Sequence, residues 1–177
     1  MNTFVTSDIH LNHRNIQLYC PSRQVIPVSQ WDEDGKAVVT DKMVSAMNER
    51  IISNWNAKVS QEDTVYILGD VAMGQIEKAP ALISRLNGKK ILIKGNHDIF
   101  KLSDYTKYFR DIRSYHVMNG MILSHIPISK DSIARFGTNI HGHTHGNRVR
   151  KPRGVDAKTG QILYSDQIDP DYFCVCV

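Results

Sequence analysis

Lys94-Gly95-Asn96-His97-Asp98 is the stretch that decides how the rest of the chain is read. It follows a short apolar run, Ile91-Leu92-Ile93, itself preceded by Asn87-Gly88 and two lysines. An apolar run bounded by turn residues reads as a buried strand ending in a tight turn. Gly95 is expected there to supply a backbone conformation that a Cβ would hinder. The turn then delivers an amide, an imidazole and a carboxylate at a strand's C-terminal end, the edge where open α/β sheets bind ligands. Alone, an Asn-His-Asp triplet also fits a polar loop. Four other fragments of the same form give it weight.

Two of them lie upstream. Phe4-Val5-Thr6-Ser7 is β-prone and runs into Asp8-Ile9-His10, and Thr64-Val65-Tyr66-Ile67-Leu68 runs into Gly69-Asp70. Between them, Val44, Met47, Ile51 and Trp55 fall at helical spacing, predicting a helix over residues 41–58 with Thr40 or Asp41 as N-cap. A second helix is expected over residues 76–86, with Pro80 in its first turn and Asn87-Gly88 ending it. A short helix over residues 11–20 stops before Pro21, and residues 21–40 read as an irregular surface loop. Strand, site and helix thus recur three times in the first hundred residues. That predicts parallel βαβ units with right-handed crossovers and one functional edge.

The second half reads differently. Residues 115–118 and 121–124 flank Asn119-Gly120, a hairpin signal, and His125 closes the second strand. A strand over residues 138–141 leads into Gly142-His143-Thr144-His145, and residues 162–164 and 172–177 read as final strands. With no repeat or linker, a chain of 177 residues fits one domain, 1–177, of two packed sheets flanked by helices.

The formal net charge of +4 permits an anionic substrate without demanding nucleic acid. No run of about 18 apolar residues and no leader pattern occurs, which points to a cytoplasmic protein without a membrane partner. Three cysteines, an odd number, argue against a disulfide framework. Cys174 and Cys176 read as packing residues on one strand face. The basic cluster Arg148, Arg150, Lys151 and Arg153 reads as a solvated loop, with steering of a phosphate-rich ligand as the alternative.

Of the eight histidines, all but His116 sit in or beside the polar turns at strand ends. The donors collected there are Asp8, His10, Asp70, Asn96, His125, His143 and His145. One tetrahedral zinc needs four ligands, whereas seven suit two divalent ions sharing a carboxylate. Nitrogen and oxygen donors without thiolates favour manganese, iron, nickel, cobalt or zinc, since calcium or magnesium would take more oxygen.

Taken together, Asp8-x-His10, Gly69-Asp70, Gly95-Asn96-His97-Asp98, His125 and Gly142-His143-x-His145 resemble the calcineurin-like metallophosphoesterases, in that family's order. The form Ser7-Asp8-Ile9-His10-Leu11-Asn12-His13-Arg14-Asn15 is similar to small single-domain members of bacteria and phages. The resemblance implies a four-layer αββα sandwich of two mixed β-sheets flanked by helices, with a dinuclear site at one edge. It implies Asp8, His10 and His145 on one ion, Asn96, His125 and His143 on the other, and Asp70 between them. His97 is implied as a catalytic residue that donates a hydrogen bond or proton to the ester, with Asp98 holding either His97 or the turn. His13 and Arg14 are expected substrate contacts, with a surface helix start as the alternative. His141 is expected to be a buried neighbour, His116 structural, and Arg23 solvated.

The continuation Val71-Ala72-Met73-Gly74 lacks the Asp-Arg that the superfamily's protein phosphatases carry after Gly-Asp, which points away from protein substrates. The implied activity is hydrolysis of a small or nucleotide-like phosphate ester, diester or monoester, by in-line attack of a hydroxide activated between two divalent ions. Manganese is the first expectation for those ions, ahead of iron, nickel, cobalt or zinc. A small nuclease is the alternative on the same site, and a non-catalytic protein-binding scaffold the alternative of another class.

Overall fold

A computed structural model describes residues 1–74 and 78–177. Four parallel strands form the first sheet in sequence order: β1 (Thr3–Thr6), β2 (Thr64–Ile67), β3 (Lys89–Ile93) and β4 (Asp111–Arg113). Parallel neighbours need crossovers. Helices α1 (Ile16–Tyr19) and α2 (Asp41–Asn56) lie in the first connection, α3 (Ala79–Ile83) in the second and α4 (Leu102–Tyr105) in the third.

The expected long helix is α2, and Thr40 caps it by accepting the Met43 amide at 3.3 Å. Of the helix expected over 76–86, residues 76 and 77 lie outside the described residues. The described part is α3, with Pro80 in its first turn. The helix expected over 11–20 is reduced to α1. Leu11 instead runs alongside the exit of β2, its amide donating to Val71 O at 2.9 Å, while Met73 N donates back to Leu11 O at 2.8 Å. The 21–40 loop is irregular apart from a 3₁₀ turn at Pro21–Arg23 and an antiparallel bridge between Trp31 and Ala37.

The second sheet is mixed. β5 (Tyr115–Met118) and β6 (Met121–Ser124) form the expected hairpin, with Asn119 and Gly120 both left-handed (φ 50° and 71°), as a primed turn requires. β7 (Thr138–His141) pairs parallel with β6, and β10 (Tyr172–Cys174) pairs parallel with β7. The four-residue α5 (Lys130–Ile133) lies between β6 and β7, with Ile133 buried. β8 (Arg150–Val155) and β9 (Ile162–Ile168) form a separate exposed hairpin. The basic cluster therefore lies on and beside a strand, β8, rather than in a loop. Pro152 and Gly154 within β8 coincide with its register shifts and hide it from propensity.

Side chains alternate between two cores, as the two-residue period of a strand dictates. Val65, Ile67 and Leu92 face the helices together with Ile52 of α2, Ile83 of α3 and Tyr105 of α4. Val5, Leu68 and Ile93 face the second sheet, meeting Met118, Leu123 and Ile140. Both sheets are thus pinned face to face, and the loops leaving β1, β2, β3, β6 and β7 converge at one edge. Among the described residues, no helix is long and apolar enough to cross a membrane.

Candidate metal centre

The loops that leave the strands first run on in register. Asp8 N donates to Gly69 O at 3.0 Å and His10 N to Asp70 O at 3.0 Å, so the β1 and β2 exits stay side by side. Their backbones then take an uncommon shape. Asp8, His10, Asp70, His143 and His145 all have left-handed φ, between 48° and 66°. Such residues are a few per cent of non-glycines, each strained by about 1–3 kcal/mol, and they gather at functional sites. Five of the seven expected donors share it.

Close approach explains two glycines. A Cβ on Gly95 would lie 2.4 Å from Asp70 Oδ1, and one on Gly142 would lie 1.9 Å from Ser7 Oγ. Gly95 does not adopt a left-handed φ, so closeness rather than the expected special conformation demands glycine there. Asp98, fully buried, holds the β3 turn: Oδ2 accepts from Asp70 N at 2.9 Å and Gly95 N at 2.8 Å, and Oδ1 from Val71 N at 3.0 Å. Burial pushes this carboxyl up, and the three amides oppose that. With its oxygens committed to backbone, Asp98 anchors the turn rather than the His97 ring.

Two groups of donors result, Asp8 with His10 and His145, and Asp70 with His125 and His143, each with ligand atoms within 4.8 Å of one another. Asp70 faces both groups. Its Oδ2 lies 3.8 Å from His10 Nε2, and its Oδ1 lies 3.5 Å from His125 Nε2. Asn96 Oδ1 joins the second group, 2.7 Å from His125 Nε2. The chemistry of the gap shows in what is left unsatisfied. Asp8 Oδ1 and His10 Nε2 are buried without a hydrogen-bond partner, although buried polar atoms normally have one. They lie 3.7 Å apart, and His145 Nε2 is 3.5 Å from the same oxygen. A cation between them would satisfy all three, so these residues fit a metal.

The outer atoms are held in place, as metal ligands require. Asp8 Oδ2 accepts from Ser7 Oγ at 2.5 Å, His143 N at 2.9 Å and Cys176 Sγ at 3.0 Å. Burial alone would raise the Asp8 carboxyl, but the nearby His10 ring and hydrogen bonds from Ser7, Cys176 and the His143 amide outweigh it and hold it well below the carboxylate range. His125 Nδ1 lies 2.7 Å from Leu68 O, which turns Nε2 towards Asp70. His10 Nδ1 is 3.1 Å from His13 Nδ1. Burial first, then the adjacent His10 and His97, lower His13 to about 4, leaving it neutral at physiological pH.

The remaining residues fall into place around this centre. His97 is exposed at the rim, its ring 6.0 Å from that of His10, and its backbone amide donates to Asp70 Oδ1 at 2.9 Å. A cavity of about 840 Å³ opens beside the first group, lined by His10, His13, His97, His145, Arg148 and Tyr19 among others. Another, of about 690 Å³, adjoins the second group and is walled by Asn96, His125, Tyr115, Ile126 and Phe136. Arg14 is not brought to either. Its guanidinium bonds Val39 O and Asp41 Oδ1 in a neighbouring recess. His141 is buried, with Nδ1 2.8 Å from Gly142 O, and His116 stacks on Tyr66.

Two further expectations are overturned. Arg23 is buried rather than solvated, and its guanidinium bonds the carbonyls of Asp8, Ile9 and Val177, holding the first donor loop from behind. Cys174 and Cys176 are not simple packing residues, because Cys176 touches Asp8 and the two sulfurs lie 3.3 Å apart. Neither contact has a local sequence signal. Arg23 lies fifteen residues from Asp8 and Cys176 lies 168 residues from it, so only the folded chain joins them.

Comparison with known proteins agrees with this geometry. The family described as calcineurin-like phosphoesterase matches residues 1–175. An uncharacterized protein of Methanocaldococcus jannaschii is 33% identical over 167 residues, covering 93% of this chain and 81% of that one. The gene 66 protein of Mycobacterium phage L5 is 30% identical over 100 residues, covering 55% of this chain and 40% of that one. A solved structure of a protein of unknown function from Aquifex aeolicus shares the fold, with a TM-score of 0.58 and 24% identity over 84% of this chain and 82% of that one.

Proposed function

We propose that this chain, which belongs to the calcineurin-like phosphoesterase family, hydrolyses small phosphodiesters, nucleotide-like ones first, at a centre of two divalent cations. The observation that carries the reading is Asp70, one oxygen towards each donor group at 3.8 Å and 3.5 Å. Asp8, His10 and His145 would hold one cation, Asn96, His125 and His143 the other, and Asp70 both. Donors of nitrogen and oxygen suit manganese first, with iron, nickel, cobalt or zinc as alternatives. When bound, such a pair neutralises phosphate charge and lowers the pKa of a water from 15.7 towards about 7.

The chain's own residues supply the rest. Asp70 ties the His97 backbone to the centre through the 2.9 Å amide bond, which fixes the root of the imidazole above the donors. From there His97 gives a proton to the departing oxygen, a contribution worth about 10²–10⁴ in rate. His13 orients the His10 ring through the Nδ1 contact. The buried, apolar-backed walls hold the donor geometry against relaxation.

Substrate choice follows from the two cavities. A diester carries two substituents, and a cavity flanks each donor group. The first has mixed polar and apolar walls, with Arg148 and the exposed Tyr19 ring suited to a phosphate and a base, and the second is mainly apolar. The test is a screen of chromogenic diesters and monoesters with added manganese, followed by nucleotides. Metal-dependent turnover with diesters ahead of monoesters is expected, and no metal-dependent turnover of either class refutes the reading. The exposed β8–β9 hairpin, with Arg148 joining it to the first cavity, favours one alternative, a nuclease. Digestion of single- and double-stranded nucleic acid separates the two.

A further inference from the structure

We propose that Cys174 and Cys176 form a redox modification site on this centre: a peroxide joins them as a disulfide, and the disulfide weakens cation binding by Asp8, His10 and His145. The proposal rests on the reading of that group as a cation site.

A cysteine that only packs is surrounded by apolar atoms. These two sulfurs touch polar ones. Cys176 Sγ lies 3.0 Å from Asp8 Oδ2 and 3.3 Å from Cys174 Sγ. Cys174 Sγ in turn lies 3.4 Å from His145 O and 3.5 Å from Thr144 Oγ1, inside the turn that carries His143 and His145. The pair therefore bridges both sequence-distant halves of the first donor group. The Cys176 S–H donates to the Asp8 carboxylate across the 3.0 Å contact. Access is open. Neither cysteine is fully buried, and Cys176 lines the cavity shared with His10, His97 and His145.

The chemistry needs only a peroxide. The Cys174 sulfur, as thiolate, attacks the O–O bond, taking one oxygen as sulfenic acid and releasing the other as hydroxide, which leaves as water with the Cys174 proton. The Cys176 sulfur then attacks the Cys174 sulfur; the S–S bond forms, the S–O bond breaks, and hydroxide leaves as water with the Cys176 proton. Two thiols lose two electrons and one peroxide becomes two waters. The sulfurs close from 3.3 Å to about 2.0 Å, and the S–H donor to Asp8 no longer exists. Asp8 Oδ2 keeps Ser7 and His143 but loses the third of its donors. Loss of such an outer partner weakens metal affinity by about 10–100-fold.

The experiment treats the reduced full chain with hydrogen peroxide, then measures manganese affinity by calorimetry and free thiols by alkylation and mass spectrometry. Two cysteines should escape alkylation while Cys20 is still modified, one manganese site should weaken by about 10–100-fold, and a thiol reductant should reverse both. Cys174→Ser should leave affinity unchanged by peroxide. Cys176→Ser should show no further loss of manganese affinity on peroxide treatment, whereas Cys176→Ala should be weakened without any oxidant. Three alkylatable cysteines after peroxide, or a Cys174–Cys176 disulfide with unchanged manganese affinity, overturns the proposal. So does a reduced protein that binds no manganese. Failure of the phosphodiesterase reading would appear separately, as no ester turnover by reduced, manganese-loaded protein.

Discussion

His97 and Asp98 are sequence neighbours with separable tasks. His97→Ala should lower kcat by about 10²–10⁴ on an alkyl ester, whose leaving oxygen needs a proton, and far less on a nitrophenyl ester, which needs none. Manganese content should not change, since the ring is absent from both donor groups. Equal losses on the two esters would remove His97 from proton delivery. Asp98→Ala should instead destabilise the fold by on the order of 2–4 kcal/mol, because three buried amides lose their acceptor. Thermal unfolding measures this, and an unchanged melting temperature contradicts it. The Asn96-His97-Asp98 triplet was legible as a site from its place after an apolar run. Which way Asp98 points was not, because its partners at Asp70 and Val71 lie 28 and 27 residues away.

Elements were legible where their period was strong. The spacing of Val44, Met47, Ile51 and Trp55 marks α2, and Asn119-Gly120 marks the β5–β6 hairpin. β4 has three residues, two of them charged, and β8 carries Pro152 and Gly154, so neither leaves a usable pattern. The left-handed donors were equally silent, since φ is set by the crossing of loops after the strands end. The tightness of that crossing is testable at Gly95. Gly95→Ala places a Cβ 2.4 Å from Asp70 Oδ1, so it should cost about 1–3 kcal/mol in stability and abolish binding of the second cation. Retention of two cations would contradict the packing described.

The β1–β2 connection offers a pH test. Asp63 accepts from Asn2 N, Ser60 N and Ser60 Oγ, which lowers its carboxyl from 3.8 to about 2. A depressed carboxylate stabilises the fold above its unfolded pKa, and that contribution is lost as pH falls towards the folded value. Asp63→Asn should therefore melt below the wild type at pH 7, with the gap closing between about pH 4 and pH 2. A gap independent of pH would contradict the assignment.

At the scale of the whole molecule, two cores pin the sheets so that donors from positions 8 to 145 meet at one edge. The ordered blocks made that meeting legible; the supports behind it, Arg23 and Cys176, were not, because contacts between remote segments have no period. A centre assembled only in the folded chain must stabilise it when filled. Manganese at about 100 times its dissociation constant should add about 2.7 kcal/mol per site, visible as a raised melting temperature that Asp70→Asn largely removes. The most direct test of the central claim is the manganese stoichiometry of active protein, with electron paramagnetic resonance to detect coupling. Two ions per chain, magnetically coupled in the wild type and uncoupled or reduced in number in Asp70→Asn, are expected. Ester turnover at full rate by protein holding one ion or none would contradict it.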